Sequence, residues 1–157
     1  MANAAAEDVK MTYWQHLYKD AVHNRSDLMF YDLELRFLRN LLGRYLLWLM
    51  EDSGLPKIQP AVEKLQHMEN QTKVLQTANE SLINRVGLLV ENPFAQDESR
   101  IREDFRKEME GIQELVTGFR ETKNEIFNLV EQTLRTEKAR RMLGMPHETE
   151  TDKKSKP

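Results

Sequence analysis

No cysteine occurs anywhere in the 157 residues. Its absence removes disulfides, thiolate nucleophiles, zinc ribbons and thioredoxin-like chemistry together, and it favours a reducing compartment. Long apolar runs are missing as well. Arg36, Arg39 and Arg44 divide the most apolar stretch, so no window reaches the ~18 apolar residues that a membrane span requires. Residues 1–10 are Ala-rich with two acids, without the basic start and apolar core of a signal peptide. Nor is charge of one sign in excess. Charged residues make up 31% of the chain, both signs are interspersed, and the net charge is −3. A nucleic-acid binder needs a basic excess or a basic face, so nucleic acid is not an expected partner. Together these absences lead us to expect a cytoplasmic chain.

The common catalytic signatures are missing too. No glutamate has a histidine three residues on, which excludes the Glu-x-x-His pattern of di-iron bundles. His-Glu-x-x-His, a Gly-rich phosphate loop and Gly-x-Ser-x-Gly are all absent, and the six glycines are scattered singly. His16, Asp20, His23 and Asp27 share one helix face, and imidazole with carboxylate at that spacing is the weak candidate for a divalent metal. The same spacing arises on any solvated face. Glu103, Asp104, Glu108, Glu110 and Glu114 interleave with Arg102, Arg106 and Lys107, as a mixed-charge helix surface does. The expectation is a protein with no catalytic residues, no cofactor and no metal.

What is present is helical periodicity. Glycine and proline divide the chain at Ser53-Gly54-Leu55-Pro56, at Asn92-Pro93 and at Gly144 with Pro146. Pro60 suits the first turn of the second helix, where its missing N–H costs nothing. Asp97, Glu98 and Ser99 place a cap and acids at the start of the third. No stretch alternates with period two. The helices are expected at about 8–52, 57–91 and 97–143, after a flexible start at 1–7 and before a disordered, charged tail at 144–157. Short loops force antiparallel neighbours. The expected fold is therefore all-α, an elongated antiparallel three-helix, coiled-coil-like bundle.

The second helix carries a near-unbroken heptad seam from Ile58 through Ala61, Leu65, Met68, Thr72, Leu75, Asn79, Leu82 and Val86 to Leu89. The third carries Ile101, Phe105, Glu108, Ile112, Leu115, Phe119, Thr122, Ile126, Leu129 and Thr133, widened by Met109, Val116, Val130 and Leu134. Antiparallel alignment brings Asn79 level with Glu108. Polar residues inside a seam set register, so the two are expected within hydrogen-bonding reach.

The first helix is less regular. From Leu28 to Met50 its apolar side is wide and aromatic. Met11, Trp14, Tyr18, Ala21 and Val22 project on the order of 100° or more away from that side. Either the helix breaks near residues 24–27 and its start folds back as a short fourth helix, or it continues and turns its early face to another partner. Pairing the helices from their loops leaves about ten residues over at the start of the first and the end of the last. Met11, Tyr13, Trp14 and Leu17 at one end, with Leu134, Met142 and Leu143 at the other, are the expected partner or homodimer interface. Phe30, Phe37, Leu41 and Trp48 form a candidate docking face. The functional expectation is a non-enzymatic, self-associating interaction or scaffold protein whose protein partner the residues do not name. The alternative is a helical protein that binds a lipid or other hydrophobic surface through residues 26–52.

Overall fold

A computed structural model describes residues 2–94 and 98–144. They form three α-helices and no strand: α1 (Ala2–Asp52), α2 (Leu55–Glu91) and α3 (Glu98–Met142). At 1.5 Å per residue these rods are about 75, 55 and 70 Å long. α2 runs antiparallel to both others, which makes α1 and α3 parallel. Every pair of helices packs together, giving an all-α antiparallel three-helix bundle.

The connections follow from their residues. The Ser53 and Gly54 N–H groups both donate to the Leu49 carbonyl, at 2.9 and 3.2 Å, and Gly54 turns the chain at φ 75°. That left-handed conformation is strained for any residue with a Cβ. α2 starts at Leu55, two residues before its expected position, with Pro56 in its first turn; Pro60 consequently lies just inside the helix. The second connection opens with the Asn92 N–H on the Leu88 carbonyl at 2.8 Å, and the Asn92 side chain accepts from the Phe94 N–H at 3.3 Å. Gly144 closes α3 at φ 66°. Asp97 and the tail from 145 onward lie outside the described residues.

One expectation about α1 requires correction, and of the two alternatives left open the continuous helix is the one observed. Residues 2–7 are helical rather than a flexible lead, because nothing in an Ala-rich start breaks the helix. The helix also passes through residues 24–27 without interruption and keeps one inward seam: Trp14, Leu17, Ala21, Asn24, Leu28, Tyr31, Leu35, Leu38, Leu42, Tyr45 and Leu49. These steps alternate three and four along the helix. The different early face came from flanking residues such as Met11, Tyr18 and Val22, and from projecting at 3.6 residues per turn a pattern that repeats every 3.5. No fourth helix forms from the start of the chain.

The core divides into two clusters. The larger runs along the bundle from Leu28 to Leu49 of α1, against Ile58–Leu75 of α2 and Ile112–Val130 of α3. The smaller gathers Trp14 and Leu17 with Leu82, Val86, Leu89 and Ile101. Between them sits a polar layer. Because the inward seam repeats every seven residues, exposure changes sharply between near neighbours. Leu35 is 1% exposed and Leu33 is 62% exposed. Truncating Leu35 to alanine is expected to destabilise the bundle by about 2–5 kcal/mol, and the same change at Leu33 by no more than about 0.5 kcal/mol, in urea unfolding monitored by circular dichroism.

Candidate functional site

Three side chains, one from each helix, meet in the polar layer. Asn24, Asn79 and Glu108 occupy seam positions and are 5%, 1% and 3% exposed. The Asn24 amide donates to Glu108 Oε2 at 3.4 Å and lies 3.2 Å from Met109 Sδ. The Asn79 amide donates to the Ala21 carbonyl of α1 at 2.9 Å. Burial pushes the Glu108 carboxyl above the ordinary glutamate value, opposed by the hydrogen bond from Asn24 and by the nearby Asn79 amide. Glu108 Oε1 and Asn79 Oδ1 are both buried acceptors without a donor among the described residues. A proton on the carboxyl supplies one, so the neutral acid is the form this layer accommodates best. Arg85, Asp104 and Lys107 stand outside it along the α2/α3 groove, where Arg85 and Asp104 pair at 2.7 Å.

Asn24 is the member of this layer that the sequence reading missed. Its spacing carried the signal: three residues after Ala21 and four before Leu28 is the seam's own step. Asn79 and Glu108 are placed at the same level of the bundle, as the alignment of α2 with α3 requires.

The outer surface differs from one groove to the next. Along α1/α2, Arg39 bonds Glu69 at 2.6 Å and Gln66 at 3.1 Å, and Arg25 pairs with Glu80 at 3.7 Å. Along α2/α3, Lys64 bonds Glu125 at 2.8 Å. Charges thus border both seams. The α1/α3 groove also has ion pairs, Lys10–Glu98 at 3.2 Å, Lys123–Glu34 at 4.0 Å and Arg140–Glu51 at 3.9 Å. Between the last two it turns apolar. Phe37 and Leu41 of α1 face Phe127, Val130 and Leu134 of α3 across a trough of about 550 Å³, edged by Glu131, Arg135 and Lys138. Phe30 lies one heptad before Phe37 on the same face, and Trp48 one heptad after Leu41. Phe30 and Phe37 are each more than half exposed.

The proposed end-of-bundle interface fares differently. Trp14 and Leu17 are core residues, 0% and 6% exposed, which corrects their assignment to an outer contact. α3 begins far enough back for Ile101 to reach them, so the bundle covers its own end. Met11 and Tyr13 remain partly exposed, and Arg102 stacks on the Tyr13 ring at 4.5 Å. Met142 and Leu143 are exposed at the far end of α3. Leu134 belongs to the apolar groove.

His16, Asp20 and His23 are all exposed on α1, and His23 lies 3.5 Å from Asp27. Among the described residues no group of three or more His, Asp and Glu side chains is placed to hold a metal ion. No helix among them is long and apolar enough to cross a membrane. Comparison with protein families, curated proteins and solved structures finds no match to this chain.

The raised Glu108 value fixes the sign of a pH effect. The group is protonated in both folded and unfolded chains well below its ordinary value of 4.5. As pH rises, the unfolded chain loses this proton first, so the folded state is progressively disfavoured until its own raised value is passed. Replacing Glu108 with glutamine, neutral and of equal size, is expected to remove that decline. Urea midpoints from pH 4 upward should show the wild type falling relative to the variant; parallel profiles would contradict the protonated layer.

Proposed function

We propose that the chain is a non-enzymatic interaction module that docks a helical partner along the α1/α3 groove. The observation that carries this reading is the placement of the exposed aromatics. The three-helix core is already complete, yet Phe30, Phe37 and Phe127 stand outside it on one side, beside Leu41, Val130 and Leu134. Scattered exposed apolar residues are normal, but a stripe with heptad spacing between two helices has the form of a seat for another helix.

The chemistry of the remaining surface supports a binding role over a catalytic one. The buried acid lies beside two asparagines in a packed layer, and many of the exposed carboxylates pair with neighbouring cations. Arg106 bonds both Glu103 and Glu110 on its own helix, as solvated helical faces do. A lipid-binding role for residues 26–52 has less support. Leu28, Leu35, Leu38, Leu42 and Leu49, which give that helix its apolar breadth, are committed to the core. What they leave is a concave trough between two rods, shaped for a helix more than for a flat bilayer.

A photoreactive amino acid at position 37, introduced into the protein in its native host, tests the reading. Protein adducts are expected from position 37 and not from position 73, an exposed site on the outer side of α2. Equal adducts from both positions, or none from position 37, would contradict it.

A further inference from the structure

We propose that the helix seated in the α1/α3 groove is α1 of a second copy of this chain, running antiparallel about a two-fold axis near residue 39. This rests on the docking reading above and assigns its occupant. The outward face of α1 has a mirrored pattern. From Phe30 it steps to Glu34, Phe37, Leu41, Arg44 and Trp48, by intervals of four, three, four, three and four. The intervals are the same read in either direction. So is the chemistry, except that the acid at one end of the pattern answers a base at the other.

An antiparallel pair centred on residue 39 brings Phe37 against Leu41 of the second copy, Phe30 against Trp48, and Glu34 against Arg44. Each contact occurs twice. A parallel pair in register would instead set Glu34 against Glu34 and Arg44 against Arg44, with like-charge repulsion at both positions. Charge therefore selects the antiparallel arrangement. Arg44 has no carboxylate within 4.0 Å among the described residues, and Glu34 has only the distant Lys123 at 4.0 Å. The second copy supplies the partner that each protomer leaves out.

α3 extends the match. The ion pairs and hydrogen bonds between α1 and α3 place Leu134 about level with Trp48, and Lys138 about level with Asp52. In the two-fold pair, Phe30 of the second copy then packs against both Trp48 and Leu134, and Asp27 of the second copy comes level with Lys138. Asp27 also approaches Glu51, whose charge Arg140 offsets within its own protomer at 3.9 Å. The interface thus has an aromatic and aliphatic centre with ion pairs around it, the distribution found in stable protein interfaces.

Sedimentation equilibrium on the full-length protein is the test, with variants Glu34→Arg, Arg44→Glu and the double reversal. The wild type is expected at twice the 18.5 kDa chain mass. Each single reversal turns two attractive contacts repulsive, and is expected to weaken the dimer at least about ten-fold. The double reversal restores opposite charges across the axis and is expected to return the affinity to within about three-fold of wild type. Far-ultraviolet circular dichroism checks that each variant keeps its helix content. A monomeric wild type at 100 micromolar would overturn the proposal, as would a dimer indifferent to the single reversals or one that the double reversal fails to restore. Adducts from position 37 to a different protein, with a monomeric wild type, would overturn the second copy as occupant while leaving the docking groove standing. Absence of adducts from that position removes the groove itself.

Discussion

A carboxyl group sealed between three apolar rods must find its hydrogen bonds inside the protein, and Glu108 lies in a layer to which each helix contributes one buried polar residue. Glu108 meets part of that need through the Asn24 amide of α1, with Asn79 of α2 buried at the same level and its amide on the Ala21 carbonyl. Sliding α1 or α3 by one heptad takes the Asn24 amide away from Glu108 and sets polar groups against apolar residues such as Leu17, Ile101 or Leu115. Aliphatic seams alone tolerate such slips, because one leucine layer resembles the next. A polar layer inside an aliphatic seam costs stability and is a means by which helices favour one register. The Glu108 layer also separates the two apolar clusters, so that Trp14 at one end and Leu49 near the other are held in one alignment.

That alignment is what leaves the α1/α3 groove open. With α2 pressed against both neighbours, the inward seams of all three helices are used. The aromatic residues one step further round α1 and α3 have no fourth rod to meet. The two other grooves are bordered by ion pairs such as Arg39–Glu69 and Lys64–Glu125, which suit a surface facing water. The α1/α3 groove has ion pairs of its own, but between Lys123–Glu34 and Arg140–Glu51 both its walls are apolar, and that stretch, more than the mere exposure of Phe37, distinguishes this face.

The sequence made the axis of the bundle legible and its ends much less so. In α2 every seam residue from Ile58 to Leu89 is buried as its spacing requires, because this helix is covered on two sides and free on the third. α3 follows its seam nearly as well. In α1 the seam was hidden for two reasons. Between Leu28 and Met50 apolar residues serve both the core and the outer face, which blurs the inward direction. Before Leu28 the seam passes through Asn24, a residue that reads as a turn or cap signal and here bonds a buried acid. Trp14 and Leu17 were mistaken for an uncovered overhang because helix length alone does not show how far α3 reaches back beside α1. Phe30, Phe37, Leu41 and Trp48 were visible as a second apolar face, but the partner groove wall on α3 emerges only once the helices are aligned.

The alignment of the helices at the polar layer is most directly tested by nuclear magnetic resonance of the asparagine side chains. The account requires the Asn24 amide protons to exchange slowly with water and to show cross-peaks to the Met109 methyl group, with the Asn79 amide close to the Ala21 methyl. Rapidly exchanging amides without those contacts between helices would contradict the register, and with it the groove that depends on it.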